Sequence, residues 1–192
     1  MELARDVFIF MFYGSGMNFK DLCLLKYSHI TYDKELKFYR EKTDIDSGDS
    51  QPVYVPLLPP MIEIINRHGN SSLDGYIFPF LNGIGEQDEV NIKKLNRRDL
   101  DPINSNLKIM AAELGLNTDV STNWVRHSYM THLLSELMLS ETVIKQMVGH
   151  STKKDVTAGY NHLTPKKRFS INSQLINPNK KYNTISLLAT SG

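Results

Sequence analysis

Apolar residues recur at helical spacing along most of this chain, and only one stretch alternates polar and apolar residues as strands do. Alternation at residues 30–32, 36–40 and 53–55 predicts short strands, with turns at residues 33–35 and 44–51. This small number of strand residues can build only a small sheet. Helices must therefore supply most of the core. The pattern therefore predicts a mainly α fold with one small antiparallel β-sheet (α+β).

The helical segments are bounded by residues that favour helix ends. A helix at residues 3–13 is broken by Gly14-Ser15-Gly16, and a second is expected at residues 19–25. Pro59-Pro60 opens a helix that Gly69 closes, because proline favours the first turn and glycine the end. Three further helices are expected: one capped by Asp101-Pro102, with Ile103, Leu107, Met110 and Leu114 on one face before Gly115, one capped by Ser121 or Thr122, and one from Ser140 to Gly149.

Composition limits the class of protein. A chain of 192 residues that is 41% hydrophobic suits one well-buried domain. The single cysteine, Cys23, excludes a disulfide framework and favours the reducing cytoplasm. The longest apolar run, residues 7–13, is too short to cross a bilayer. We therefore expect a cytoplasmic domain with no membrane contact.

Charge is distributed unevenly between the two halves of the chain. Residues 1–92 hold 8 basic and 14 acidic side chains, whereas residues 93–192 hold 14 basic and 7 acidic ones, although the whole chain carries only +1. The second half is therefore strongly basic. This asymmetry favours a basic face for a polyanion, the alternative being chance clustering of solvated surface charge.

The second half also carries three short motifs, which are Arg126-His127-Ser128, Gly149-His150-Ser151 and Thr157-Ala158-Gly159-Tyr160. An arginine, a histidine and a tyrosine in this order suit a tyrosine nucleophile that attacks a phosphodiester. The arginine neutralises phosphate charge, the histidine handles a proton or a phosphate oxygen, and the tyrosine forms the covalent bond. No cluster has metal-ligand spacing and no glycine-rich phosphate loop occurs, so we expect neither a metal nor a cofactor.

These motifs, at their mutual spacing, resemble those of the catalytic domain of the tyrosine recombinase (phage integrase) family, over roughly residues 3–170. The resemblance implies a site-specific DNA recombinase, an integrase of a mobile element, that works through a 3′-phosphotyrosyl intermediate without ATP. It implies double-stranded DNA as the partner and assembly into a tetramer on that DNA. The alternatives are a topoisomerase-like enzyme that cleaves and religates one strand, and a catalytically impaired DNA-binding module.

The resemblance also assigns roles to individual residues. Tyr160 is the expected nucleophile, and Arg126, in the first turn of its helix, is expected to bind the phosphate. His150 is expected against the scissile phosphate, and Lys42, at the end of the second strand, to protonate the departing 5′ oxygen. The alternatives are a surface ion pair for Arg126, a loop position for His150 and a solvated surface position for Lys42.

Two positions depart from the family pattern. Asn18 stands where the family carries its first arginine, and Asn123 stands where it favours histidine or lysine. Arg40 and Lys42 share one face of the predicted strand, so Arg40 is a candidate to replace the missing guanidinium. The alternative for Arg40 is a strand arginine that lies over aromatic rings.

The end of the chain holds further candidates for DNA contact. Lys166, Lys167 and Arg168 fit backbone contacts, or else form a solvated helix end. We expect residues 1–170 to be the recombinase catalytic domain and residues 171–192 to be a tail that docks on a neighbouring protomer or stays disordered. Because Met1 almost directly precedes the first predicted helix, we expect the family's upstream DNA-clamping domain to be absent from this chain and the chain to be a fragment of a longer protein. The alternative is an unusually short protein.

Overall fold

A computed structural model describes residues 1–40, 52–83, 96–149 and 163–176, without the side chains of residues 96 and 97. Within these ranges the protein is mainly helical with one two-stranded antiparallel sheet, which confirms the predicted α+β class. No helix in the described ranges is long and apolar enough to cross a membrane.

The helices and strands follow one another in an order that places the sheet early in the chain. They are α1 (Glu2–Tyr13), α2 (Phe19–Cys23), β1 (Glu35–Phe38), β2 (Val53–Pro56), α3 (Pro59–His68), α4 (Asp101–Glu113), α5 (Trp124–Ser135), α6 (Glu141–Met147) and α7 (Pro165–Ser173). Short 3₁₀ turns occur at Tyr27–His29 and Pro79–Leu81, and a π-helical turn at Asn96–Leu100 leads into α4.

The sheet is smaller than the sequence predicted. Strand β1 pairs with β2 so that Glu35 lies opposite Pro56 and Phe38 opposite Val53. The predicted strand at residues 30–32 is wrong, because Ile30 ends a 3₁₀ turn and forms only an isolated bridge to Leu36. Strand β1 also ends at Phe38, so the strand alternation that was to align Arg40 with Lys42 does not extend to Arg40.

Two hydrophobic clusters form the core, and α5 joins them. The first cluster draws on α1, α2, the sheet, α3, residues 77–81 and α4, and it includes Val125 at the start of α5. The second cluster draws on α5, α6 and α7 and includes Tyr129, one turn further along α5. Helix α1 packs against α3, α4 and α5, and its Phe12 and Tyr13 contact both clusters. The first turn of α5 therefore lies where the two clusters meet.

A buried polar network fixes α7 to the turn after α1. The Tyr129 hydroxyl donates to Asn172 Oδ1 at 2.8 Å and lies 3.3 Å from Ser15 Oγ. The Asn172 amide donates to the Tyr13 carbonyl at 3.3 Å. Burial raises the pKa of Tyr129, so this phenol stays protonated as the network requires. Each buried polar group here has a partner, which fixes the relative placement of α1, α5 and α7.

The predicted helix ends hold only in part. Helix α3 begins at Pro59 and ends before Gly69, and Gly149 follows α6 with a positive φ of 68°, both as expected. Ser140 takes the N-cap position of α6 as expected, although its side chain makes no cap hydrogen bond. The predicted caps of α4 and α5 are wrong, because Leu100 and Asn123 take those positions. In α4 the preceding π-helical turn already gives Leu100 helical backbone angles, so no capping residue is needed there.

The predicted buried face of α4 is also wrong at one position. Ile103 and Leu107 are buried as expected, but Leu114 is 73% exposed and Ala111 takes the next place in the core. Leu114 follows the last residue of α4, so it no longer keeps the helical spacing that placed it on that face.

Candidate active site

Arg126 lies at the centre of the candidate site and joins three segments of the chain. It is the third residue of α5, and its guanidinium donates to the Gly16 carbonyl at 3.3 Å and to the Val148 carbonyl at 3.1 Å. Gly16 precedes α2, and Val148 follows α6. The predicted phosphate-binding arginine is thus held by main-chain oxygens from both flanking segments.

Two glycines allow close packing around this site, Gly16 against Arg126 and Gly149 against Val53. A Cβ on Gly16 would lie 3.0 Å from the Arg126 Cα, and Gly16 has a φ of 65°, which disfavours other residues. A Cβ on Gly149 would lie 2.3 Å from Val53 Cγ2, so only glycine fits between α6 and strand β2. Gly149 also fixes the direction in which the chain leaves α6 towards His150.

A second arginine lies beside the first. Arg40 is 8% exposed, and its Nε lies 3.8 Å from the carboxylate of Asp21, which is 3% exposed. Its Cδ would lie 3.6 Å from a Cβ on Gly149, whose preceding carbonyl accepts from Arg126. Arg40, Arg126 and Asp21 therefore meet at one place, next to the start of the segment that carries His150.

The electrostatics of this place are unusual for an arginine. Burial, and then the charge of Arg40, lower the pKa of Arg126 to about 10, against the opposing effects of Asp21 and Tyr129. A protonated guanidinium here is therefore costlier than in water. Perturbed titration of this kind is enriched at functional sites.

Lys42, His150 and Tyr160 lie outside the described residues. Their predicted catalytic roles therefore stay predictions. The structure describes the chain up to Arg40 and up to Gly149, which precede Lys42 and His150 by two residues and one residue.

The two asparagines that depart from the family pattern lie in different settings. Asn18 is the N-cap of α2, and its side-chain oxygen accepts from the Asp21 backbone N–H at 2.7 Å. Asn123 directly precedes α5, where its side chain is exposed and makes no cap hydrogen bond. Asn18 therefore has a structural task in α2, whereas Asn123 presents its amide to solvent. A contact of either residue with DNA stays a prediction.

The basic run on α7 divides into two kinds of residue. Lys166 and Lys167 are exposed in the first turn, which Thr164 caps, and both are free to meet a polyanion. Arg168 instead turns inward, where its Nε lies 2.7 Å and its Nη2 2.5 Å from the two Glu35 carboxylate oxygens. It also donates to the Leu163 carbonyl and lies 4.8 Å from the Tyr54 ring centre. These contacts favour an internal role for Arg168 over its predicted DNA contact.

Sequence reasoning missed two carboxylates, Asp21 and Glu35. Both are buried, and each lies against an arginine, Asp21 against Arg40 and Glu35 against Arg168, for which the sequence predicted no carboxylate partner. For Asp21 a signal was available, because it precedes an apolar stretch and buried acidic residues are almost always paired. Glu35 lies in a charged stretch, residues 33–35, that was predicted as a turn, so no such signal marked it.

The chain resembles a known recombinase over most of its length. It is 25% identical over 153 residues to the tyrosine recombinase XerA of Pyrococcus horikoshii, a match that covers 78% of this chain and 47% of that protein. The chain thus spans about half the length of this curated relative. No family model matches the chain, and no solved structure matches it. The similarity agrees with the family that the sequence motifs indicate.

The inward position of Arg168 predicts a loss of stability on its removal. Arg168→Met leaves the Glu35 carboxylate buried without its guanidinium, which should lower the free energy of unfolding by about 3 kcal/mol. Lys167→Met, on the same helix but exposed, should change it by less than about 0.5 kcal/mol. Urea denaturation followed by circular dichroism measures both. Equal, small losses would show that the ion pair contributes nothing to the fold.

The close approach at Gly149 predicts a clash that can be separated from backbone strain. Gly115 has nearly the same positive φ, 67° against 68°, but open space around its Cβ position. Gly115→Ala should therefore lower the free energy of unfolding by only about 1 kcal/mol. Gly149→Ala should lower it by about 2 kcal/mol more, because Val53 cannot move aside easily. Denaturant unfolding checks this, and Val53→Ala should recover part of the additional loss. Matching costs at both glycines would contradict the packing of α6 against β2.

Proposed function

We propose that this chain is the catalytic part of a tyrosine-type site-specific DNA recombinase. The observation that carries the proposal is the hydrogen bond from Arg126 to the Val148 carbonyl, at 3.1 Å. It brings the Arg126-His127-Ser128 motif directly against the start of the Gly149-His150-Ser151 motif, which lies more than twenty residues away in sequence. The similarity to tyrosine recombinase XerA supports the same proposal at family level.

The proposed reaction exchanges one phosphodiester for another. The Tyr160 phenol loses its proton and attacks the phosphorus, so that a phosphotyrosyl bond forms to the 3′ side and the bond to the 5′ oxygen breaks. Lys42 gives a proton to the departing 5′ oxygen. A 5′ hydroxyl of the partner strand then attacks the phosphotyrosyl bond, restores the DNA backbone and releases Tyr160. The ester bond is conserved throughout, so no ATP is consumed.

In this mechanism Arg126 binds the non-bridging oxygens of the scissile phosphate. Its place in the first turn of α5 adds the partial positive charge of a helix start to its own charge. The two carbonyls that hold the guanidinium orient it before DNA arrives, which is the arrangement that stabilises developing charge most effectively. His150 stands beside the same phosphate, and Asn123, exposed next to α5, adds a neutral hydrogen bond.

DNA would reach this site over the basic surface of the second half. Lys166 and Lys167 contact the phosphate backbone in this proposal, while Arg168 braces α7 against the sheet. Assembly of several copies on DNA and exchange between two duplexes complete the proposed activity. A topoisomerase-like reaction shares the first step but lacks partner exchange, and a DNA-binding module lacks both.

The nucleophile can be tested without knowing the DNA site. A pool of nicked duplexes with randomised sequence around the nick is incubated with the chain, and covalent adducts are recovered on a denaturing gel. Tyr160→Phe should abolish the adduct, because only the phenolic oxygen is lost. The control is Tyr32→Phe, at a fully exposed tyrosine in the turn before strand β1, which should form the adduct normally. An adduct formed by the Tyr160 variant would refute the assignment.

The same assay distinguishes the proposed recombinase from the DNA-binding module and from the topoisomerase-like enzyme. No adduct with any duplex would favour the DNA-binding module, since that module lacks strand cleavage. Adducts that religate without Holliday junctions, when two recovered duplexes are supplied, would favour the topoisomerase-like reaction.

The basic surface predicts salt-dependent binding to duplex DNA. The logarithm of affinity should fall linearly with that of salt concentration, by about 0.9 for each phosphate contact. Replacing both Lys166 and Lys167 by methionine should reduce this slope by about 1 to 2, while Arg168→Met leaves it unchanged. Fluorescence anisotropy at several salt concentrations measures the slope. Salt-insensitive binding would contradict the basic-face argument.

A further inference from the structure

The first turn of α2 has no guanidinium, although it lies next to Arg126. Asn18 caps this helix with its side-chain oxygen, and the Gly16 carbonyl, two residues earlier, accepts from Arg126. Asn18 is neutral, so the α2 side of the site contributes no positive charge from this position. Its side-chain oxygen accepts a hydrogen bond from the Asp21 backbone N–H, which holds the backbone of Asp21.

The Asp21 carboxylate lies next to Arg40, which follows strand β1. Its side chain is 1% exposed and lies 3.8 Å from the Arg40 Nε. At 3.8 Å this contact is an ion pair and not a hydrogen bond, so Asp21 supplies a counter-charge to Arg40. Arg40 is therefore held beside α2 by the opposite charge of Asp21.

Arg40 approaches the site from the segment that follows strand β1. Its Cδ would lie 3.6 Å from a Cβ on Gly149, and the carbonyl before Gly149 accepts from the Arg126 guanidinium. The two arginines thus flank the same main-chain turn, one from the end of the hairpin and one from α5. Their positive charges are close enough for Arg40 to oppose protonation of Arg126.

Among the described residues, two guanidiniums and one carboxylate meet at this largely buried place. Arginine pairs of this kind suit a phosphate, because each planar fork can donate two parallel hydrogen bonds to its oxygens. An anion between them would also relieve the repulsion between the two like charges.

We propose that Arg40 supplies the second guanidinium of the phosphate-binding site, from the hairpin side, and that Asp21 positions it. The inference rests on the proposed function for the identity of the phosphate, a DNA phosphodiester. Arg40 is then a catalytic residue that contacts the phosphate, and Asp21 is a positioning residue that acts through it. The vacancy at Asn18 is filled by a side chain from a different element, and Asn18 keeps only its capping role.

The first test measures binding of inorganic phosphate to the full 192-residue chain by thermal shift, at constant ionic strength set with chloride. Phosphate should raise the melting temperature of the wild type saturably. Arg40→Met and Arg126→Met should each weaken the apparent phosphate affinity about tenfold or more, because each removes a charged hydrogen-bond donor. Lys108→Met removes an exposed charge on α4 and should leave the affinity unchanged.

Conservative variants separate binding from folding. Arg40→Lys keeps a positive charge beside Asp21 but loses the fork, so its phosphate affinity should fall several-fold while the chain stays folded by circular dichroism. Asp21→Asn should weaken phosphate binding less than Arg40→Met does, because the guanidinium remains but is no longer fixed. Wild-type affinity in Arg40→Lys together with unfolding of Arg40→Met would overturn the proposal and give Arg40 a purely structural role.

The second test uses the covalent adduct on the DNA recovered from the randomised pool. Arg40→Met should slow adduct formation by about 10² to 10³, as loss of one such donor does elsewhere, and Asn18→Ala should slow it far less. Arg40→Met combined with Asn18→Arg should recover part of the rate, with folding checked because the new arginine removes the α2 cap. Equal, small losses in both single variants would overturn the proposal.

The two proposals fail in distinguishable ways. Wild-type chain that forms no adduct, but binds phosphate in a manner that depends on Arg40 and Arg126, would refute the recombinase and leave the anion site standing. Adduct formation and phosphate binding that both depend on Arg126 but ignore Arg40 would refute the second guanidinium and leave the recombinase standing.

Discussion

The candidate site depends on one side chain, Arg126, and on the two main-chain oxygens that hold it. The Gly16 and Val148 carbonyls come from segments that belong to opposite ends of the described chain, and one guanidinium bonds both. This contact requires that Gly16 lack a Cβ, since α5 passes too close for any other residue. The turn after α1, the start of α5 and the end of α6 are therefore placed together by a single interaction with strict steric limits.

Two arginines lie close together at the candidate site. Arg126 is half-buried with a lowered pKa, and Arg40 lies beside it, next to the buried carboxylate of Asp21. Like charges held close together are most common where function needs them. An anion bound between them would relieve their repulsion. On α7, Arg168 makes a bidentate contact with the buried Glu35 carboxylate.

Local sequence signals predicted the elements whose causes are local. The helix from Pro59 to Gly69 and the left-handed turn at Gly149 follow from the backbone limits of proline and glycine, which act wherever those residues occur. The strand at residues 30–32 failed because a 3₁₀ turn takes up the residues before it, which alternation does not reveal. The expected caps of α4 and α5 failed because the residues before these helices, Leu100 and Asn123, already have helical backbone angles.

The sequence by itself determined the fold class, the order of the motifs and the presence of asparagine instead of arginine at position 18, because these are properties of residue type and spacing. Only the tertiary structure decided where the long charged side chains go. Arg168 turned inward to Glu35 and Arg40 lay against Asp21, beside Arg126. A flexible guanidinium reaches partners on any adjacent element, so its contact is chosen by which carboxylate the fold brings near and not by its neighbours in sequence.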